Sequence, residues 1–329
     1  MTRILITGGC GFAGHHLVNH ILVNTDWEVV ILDKLTYASN GFDRLRDINV
    51  FDDKRITIFT VDFNHKLDDS LISELGKVDY IVHMGAETHV DNSIGNAEPF
   101  VISNVVGTMY ILELARKLQP KKMLYFSTDE VFGDAPNGEA FKEWDRYNSK
   151  NPYAAAKAGG EELCLAYANT YKVPVLISHT MNIFGERQHY EKFIPMIIRK
   201  ILKDEVVTIH SDPTRTISGS RFYIHARNVA SAVMFLLDKG QVRDKYNVVG
   251  EKEVSNLEMA TFIGEVIGKE VKYEMVDFHS SRPGHDLRYS LDGSKMKRMG
   301  WEIPTTFEKS LTKVIQWSLE PKNIKWIGL

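Results

Sequence analysis

Two short segments carry side chains able to move protons. Ser127, Thr128, Asp129 and Glu130 stand in a row, and Tyr153 precedes Lys157 by four residues. On a helix a spacing of four puts the phenol and the ammonium on one face. An ammonium beside a phenol favours phenolate, drawing a pKa of about 10 toward neutrality. A phenolate next to a hydride acceptor is a general base for oxidising an alcohol. Neighbouring carboxyls split their pKa values because ionising both is costly, so Asp129 and Glu130 supply two protonation states and titrate as a unit. Read alone, Tyr153 and Lys157 also fit a solvent-facing pair, and Asp129-Glu130 a helix N-cap with a first-turn acid.

The hydride acceptor has its own signature. Thr7-Gly8-Gly9-Cys10-Gly11-Phe12-Ala13-Gly14 follows an apolar run at 3–7 and opens an amphipathic stretch. Such a strand–turn–helix lets backbone approach a pyrophosphate, which the helix N-terminus then favours. Asp33 ends the next apolar run, 19 residues past Gly14. A carboxylate there accepts hydrogen bonds from adenosine ribose hydroxyls and repels a 2′-phosphate, which selects NAD. Asp62 ends the third run, within reach of the adenine amino group, and Met84, Gly85 and Ala86 after His83 are small enough for backbone to pass a cofactor.

The elements that must position these residues follow a rhythm. Strands are expected at 3–7, 28–32, 56–61, 79–83, 122–127 and 175–179, and helices at 12–23, 68–75, 99–118 and 152–171. Apolar strands alternating with helices mean right-handed crossovers in a doubly wound parallel sheet. The expected fold is therefore α/β: a Rossmann-type domain over 1–180 and a smaller mixed α/β, substrate-binding C-terminal lobe over 181–329, their boundary interleaved. In the second part helices are expected at 191–202, 226–237, 256–267 and 306–318, with strands at 206–210 and 246–249.

Composition narrows the classes. The 329 residues are 43% hydrophobic and 25% charged, a globular profile. No apolar run approaches the roughly 18 residues of a membrane span, and the first residues do not read as a signal peptide. Two cysteines, Cys10 and Cys164, exclude a disulfide scaffold and a cysteine zinc site, so no metal is expected and the compartment is read as cytoplasmic. A net charge of −3 gives no reason to expect nucleic acid as a partner, nor a membrane. The charge is uneven: residues 1–175 carry 17 basic and 24 acidic side chains, and residues 176–329 carry 23 and 19.

Further motifs carry a resemblance: Asp33-Lys34-Leu35-Thr36-Tyr37-Ala38, Glu87-Thr88-His89-Val90-Asp91, Ser127 through Asp134, Tyr153 to Lys157, Glu191-Lys192-Phe193-Ile194-Pro195 and Arg282-Pro283-Gly284-His285-Asp286. Over nearly its whole length the chain resembles the extended short-chain dehydrogenase/reductases, and among them the nucleoside-diphosphate-glucose 4,6-dehydratases. The Asp-Glu pair is the most specific element of the likeness. The resemblance implies a lyase that converts dTDP- or UDP-glucose to the 4-keto-6-deoxy sugar nucleotide and water, with recycled NAD. Oxidation at C4 acidifies the C5 proton, a carboxylate removes it, a carboxylic acid protonates the leaving C6 hydroxyl, and hydride returns to C6. By resemblance Glu130 is the C5 base and Asp129 the C6 acid, while Thr128 binds the C4 oxygen beside Tyr153.

The same resemblance assigns Gly8, Gly11, Phe12, Ala13, Gly14, Asp33, Lys34, Leu35, Thr36, Asp62, Phe63, Met84, Gly85, Ala86, Ser103, Tyr153, Lys157 and Ile183 to the cofactor. It assigns Thr88, Thr128, Asn182, Lys192, Phe193, Thr208, Arg221, Asn247, Arg282 and His285 to the nucleotide sugar. It also implies a homodimer through the 99–118 and 152–171 helices, with Val101, Leu112 and Leu165 as contact residues. The sequence departs from the family pattern at Asn92, at Ser281, within 182–188 and in the 211–220 loop, which leaves the nucleotide base open (thymidine, uridine or another) and with it the exact sugar. The alternatives are a C4 epimerase or UDP-glucuronate decarboxylase, against which Asp129-Glu130 argues, and a non-catalytic NAD-binding regulatory protein, against which the intact Thr128, Tyr153 and Lys157 argue.

Overall fold

A computed structural model describes residues 1–277 and 287–329. The first half winds β1 (Arg3–Thr7), α1 (Phe12–Asn24), β2 (Glu28–Asp33), α2 (Asp43–Asp47), β3 (Ile56–Thr60), α3 (Asp69–Leu75) and β4 (Tyr80–His83). Then come α4 (Val90–Gly95), α5 (Glu98–Val101), α6 (Gly107–Leu118), β5 (Lys122–Thr128), α7 (Pro152–Thr170) and β6 (Val175–Thr180). The six strands expected at the sequence level are all present. The helix expected over 99–118 is continuous but contains a π-helical turn at Ile102–Val106, the kind of insertion that re-aims side chains near functional sites.

The second half contributes β7 (Ile183–Phe184), α8 (Phe193–Leu202), β8 (Val207–Ser211), β9 (Ser220–Phe222), β10 (Ile224–His225), α9 (Ala226–Lys239), β11 (Lys245–Val248), β12 (Glu253–Ser255), α10 (Asn256–Ile267) and β13 (Tyr273–Asp277). A five-residue helix at Ser294–Arg298, a longer one at Phe307–Leu319 and a 3-10 turn at Ile324–Ile327 follow. Three two-stranded pairs, β10 with β7, β12 with β9 and β13 with β8, lie in this half. Most of their strands are two or three residues long, too short for a periodic sequence signal.

The central sheet runs β11-β6-β5-β4-β1-β2-β3, and every pairing is parallel. The chain winds outward from β1 to β3, then crosses to β4 on the other side of β1. The strand order therefore reverses between β1 and β4, where open α/β sheets form a ligand crevice. β11 comes from the second half yet completes this sheet beside β6, and α9 packs against α1. Apolar strand residues pack into one core on each sheet face, and a third core sits among α8, α10 and Phe307–Leu319. Leu112 is wholly buried in the second of these cores, so it packs on the sheet and does not face a partner, whereas Val101 is 46% exposed.

Candidate active site

At the switch point the chain closes on itself through small residues. Thr7 Oγ1 lies 2.7 Å from His83 Nδ1 and accepts the Met84 and Gly85 amides at 3.1 and 2.9 Å, pinning the ends of β1 and β4 together. Gly8 has φ +72°, and a Cβ there would lie 2.8 Å from Gly85 Cα. A Cβ on Gly14 would lie 2.1 Å from the Gly8 carbonyl oxygen. Only glycine fits, and the result is a cradle of backbone N–H groups at the mouth of α1.

Asp33 is buried beside it. Its carboxylate accepts the Cys10 amide at 3.0 Å and the Leu35 amide at 2.8 Å, and burial pushes its pKa up. These two bonds leave lone pairs on a carboxylate at the cleft wall, as a ribose diol needs. A cradle shaped for backbone approach and a fixed acceptor beside it fit NAD.

The catalytic end is built differently. Asn151 caps α7 by accepting the Ala154 amide at 2.8 Å, and Pro152 stands in the first turn. This cap and the helical spacing aim Tyr153 and Lys157 at the end of β5. The cap of the 3-10 turn Asp129–Phe132 is Thr128, through the Glu130 amide, one residue before the expected Asp129, and both acids lie in the first turn. It does not exhaust the site. Asp129 is 3% exposed; one oxygen accepts the Thr128 hydroxyl at 3.0 Å, and the other is a buried atom with no hydrogen-bond partner among the described residues. Burial, then the charge of Glu130, raises the Asp129 carboxyl to about 7. Glu130 Oε2 accepts the Asn151 amide at 3.0 Å. One acid thus holds a proton near neutrality while its neighbour is oriented from the helix cap.

The tyrosine and lysine depart from expectation. Lys157 Nζ donates to the Phe126 carbonyl at 2.7 Å and sits 4.1 Å from the Tyr125 ring centroid. Burial lowers it to about 8. The Tyr153 phenol shares a hydrogen bond with Thr128, and burial followed by the Glu130 charge pushes its pKa up. The helix spacing brings the two side chains to one face, but the Phe126 carbonyl engages the ammonium, and burial with the Glu130 charge keeps the phenol protonated.

One cleft of about 340 Å³ spans both ends. Gly8, Gly11, Phe12, Ala13, Gly14, Asp33, Lys34, Thr36, Phe63, Met84, Gly85, Ala86, Ser103 and Ile183 line it, as do Thr88, Thr128, Asp129, Glu130, Tyr153, Lys157, Asn182 and Lys192.

Other expected residues are placed elsewhere. Leu35 turns at φ +55° and packs into the core, giving only its amide to Asp33. Asp62 is exposed and binds the Asn64 amide at 2.9 Å. Phe193 opens α8 and packs on the C-terminal core, and Thr208 pairs with Glu274 at 3.3 Å. Arg221 donates to the Ser220 and Leu287 carbonyls and stacks 4.4 Å from the Tyr289 centroid; it is absent from the cleft wall, though its charge reaches Asp129. Asn247 is wholly buried, bonded to His179, Phe141 and Asp292. Side chains that alternate across β11 place it inside. Arg282 and His285 lie outside the described residues.

The sequence reading missed Arg44, a wholly buried cleft residue. Its guanidinium donates to the carbonyls of Arg187, Ala38 and Ser39 at 3.0, 2.8 and 2.5 Å and lies 5.4 Å from the Trp326 centroid. It ties the loop after Asp33 to the second half of the chain. A charged residue in a five-residue helix gave no signal of this.

Comparison with known proteins points the same way as the geometry. Residues 4–249 match the model of the NAD dependent epimerase/dehydratase family. The low-salt glycan biosynthesis protein Agl12 of Haloferax volcanii is 37% identical over 316 residues, 96% of this chain and 98% of that protein. The dTDP-glucose 4,6-dehydratase of Neisseria gonorrhoeae is 35% identical, covering 98% and 96%. The dTDP-glucose 4,6-dehydratase of Streptomyces venezuelae, solved with NAD bound, superposes with a TM-score of 0.89 at 32% identity over 99% of both chains.

Proposed function

The chain belongs to the NAD dependent epimerase/dehydratase family, and within that family we propose how its cleft performs an NAD-dependent nucleotide-sugar 4,6-dehydration. The observation that carries the reading is the Asp129–Glu130 pair, with one carboxyl raised to about 7 beside another oriented by Asn151. An epimerase has no need of a second acid, because it only oxidises and re-reduces C4.

The residues divide the work as follows. Gly8, Gly11 and Gly14 would hold the pyrophosphate of NAD and Asp33 its adenosine ribose, with Ser103 and Ile183 as further cofactor contacts on the cleft wall. Bound NAD would supply a cationic ring that favours the Tyr153 phenolate and an acceptor for the C4 hydride, available again for C6. The ionised Tyr153 accepts the C4 hydroxyl proton while Thr128 orients that oxygen. Glu130 then removes the proton from C5, acidified by the new ketone. Asp129 gives its proton to the departing C6 hydroxyl, which leaves as water. Hydride addition at C6 is matched by protonation of C5 from Glu130, whose proton has exchanged with solvent; Tyr153 then releases the C4 hydroxyl proton to solvent and Asp129 regains one, which restores every group for the next turnover.

Thr88, Asn182 and Lys192 on the cleft wall are proposed to hold the sugar and diphosphate, with the Lys192 ammonium as a point charge. Arg282 and His285 are retained as substrate contacts on the strength of the family motif. We also propose a homodimer through α5 and the π-helical turn, where Val101 and Ile102 are exposed, and a reducing, cytoplasmic setting, which suits two buried free thiols. No helix among the described residues is long and apolar enough to cross a membrane.

The test is incubation of the purified protein with dTDP-glucose and with UDP-glucose separately. A product lighter by one water is expected from at least one. An isomer of unchanged mass overturns the reading in favour of an epimerase.

A further inference from the structure

Behind the strand ends lies a second set of ionisable groups that the mechanism does not use. Glu161 follows Tyr153 by eight residues and Lys157 by four, so all three project from one face of α7. Its carboxylate is wholly buried. It accepts the Ser127 hydroxyl from β5 and the Tyr147 hydroxyl from the loop before α7, and it faces His179 Nε2 on β6 at 3.1 Å and Lys245 Nζ on β11 at 3.5 Å. Lys245 also donates to Tyr147, and His179 Nδ1 lies 3.0 Å from Asn247 Oδ1. One carboxylate thereby joins four elements.

Resting on the dehydratase reading, we propose that Glu161 is a positioning residue: from behind the sheet it keeps the Lys157 ammonium charged and fixes the Ser127–Thr128 strand end.

Two arguments carry this beyond structural glue. Successive strand side chains point to opposite faces, so the bond that draws Ser127 inward to Glu161 turns Thr128 outward into the cleft. The second argument is charge. Lys157 meets the Phe126 carbonyl and Tyr125 ring from β5, His83 from β4, and Cys164 on its own helix. None of these is an anion at neutral pH. Burial lowers the ammonium, and the Glu161 charge is the largest influence opposing that fall. Glu161 can serve because burial, which would raise it, is outweighed by His179, Lys245 and Ser127, which hold it at about 2.

The test uses the full-length protein loaded with NAD and labelled with ε-13C lysine, in which the Lys157 resonance is assigned by its loss in Lys157→Arg. In Glu161→Gln the Lys157 titration midpoint is expected to fall by about one pH unit or more. In Lys245→Met, which removes a cation from the same carboxylate, it is expected to rise. Damage to packing would not give shifts of opposite sign. With dTDP-glucose in D2O, Glu161→Gln should lose about tenfold or more in the rate of C5 hydrogen exchange at pH 7 with KM little changed, and Glu161→Asp should recover most of it.

An unmoved midpoint in Glu161→Gln, or shifts of the same sign in both variants, overturns the proposal. If Glu161→Gln does not fold, the sign in Lys245→Met decides. A wild-type protein that turns over no nucleotide sugar but shows these shifts defeats the dehydratase reading alone.

Discussion

At the β1–α1 turn the cleft wall is backbone against backbone: a Cβ on Gly14 would sit 2.1 Å from the Gly8 carbonyl. At the β5–α7 end the wall is ionisable side chains, all buried: Asp129, Tyr153, Lys157 and, behind them, Glu161. The first arrangement binds a constant group, the cofactor, with geometry that needs few charges. The second is proposed to move protons, and its groups are held away from their ordinary pKa values. A single methyl group breaks the first region. The second breaks when a charge or a proton is misplaced, even where shape is preserved.

The largest effect is expected from Tyr153→Phe, which keeps the ring and removes only the oxygen shared with Thr128. Turnover should fall by about 10³-fold or more while NAD still binds, measured by steady-state kinetics and calorimetry. Asp129→Asn should cost about 10²–10³-fold in water loss yet leave C5 hydrogen exchange in D2O largely intact, because Glu130 is untouched. If both fall together, the division between acid and base is wrong.

The same residue fixes two pH dependences. As the proposed C6 acid, with its carboxyl raised to about 7 by burial and then by Glu130, Asp129 loses its proton as the pH rises, so the dehydration rate should decline through about pH 7. The folded-state pKa lies above the unfolded value of 3.8, so the native state binds more protons between those values and stability falls as pH rises through that window. Asp129→Asn should therefore melt higher than wild type at pH 7, with the difference shrinking toward pH 4; equal melting at both would contradict the burial argument.

Gly14→Ala tests the other region. The clash with backbone should weaken NAD binding by about tenfold or more, with folded mutant enzyme still responding to saturating cofactor. The smallest effect is expected at Thr208→Ala, which pairs with Glu274 away from the cleft wall; kcat/KM should stay within about twofold.

The contrast also explains what could be read from the sequence. Backbone-built sites leave local marks: Gly8 to Gly14 and Asp33 are close in the chain and announce a strand, a turn and a helix. Thr128 to Glu130 and Tyr153 to Lys157 were legible for the same reason, each lying within one or two turns. The partners that set their chemistry were not. Lys157 meets the Phe126 carbonyl 31 positions away, and Glu161 meets Lys245 from a strand that re-enters the sheet out of sequence. Asn247 was assigned to substrate by resemblance alone; only the register of β11 beside β6 shows it turned inward to His179. Arg44 was invisible because a buried cation is signalled by its carbonyl partners, which sequence does not list.

The most direct measurement is mass spectrometry of the product formed from dTDP-glucose, or from UDP-glucose, by the wild-type protein in D2O. The acid–base pair predicts a product that has lost one water and carries one solvent deuterium at C5, with the original C4 hydrogen now at C6. A product of unchanged composition, or one dehydrated without solvent deuterium at C5, would contradict the roles of Glu130 and Asp129.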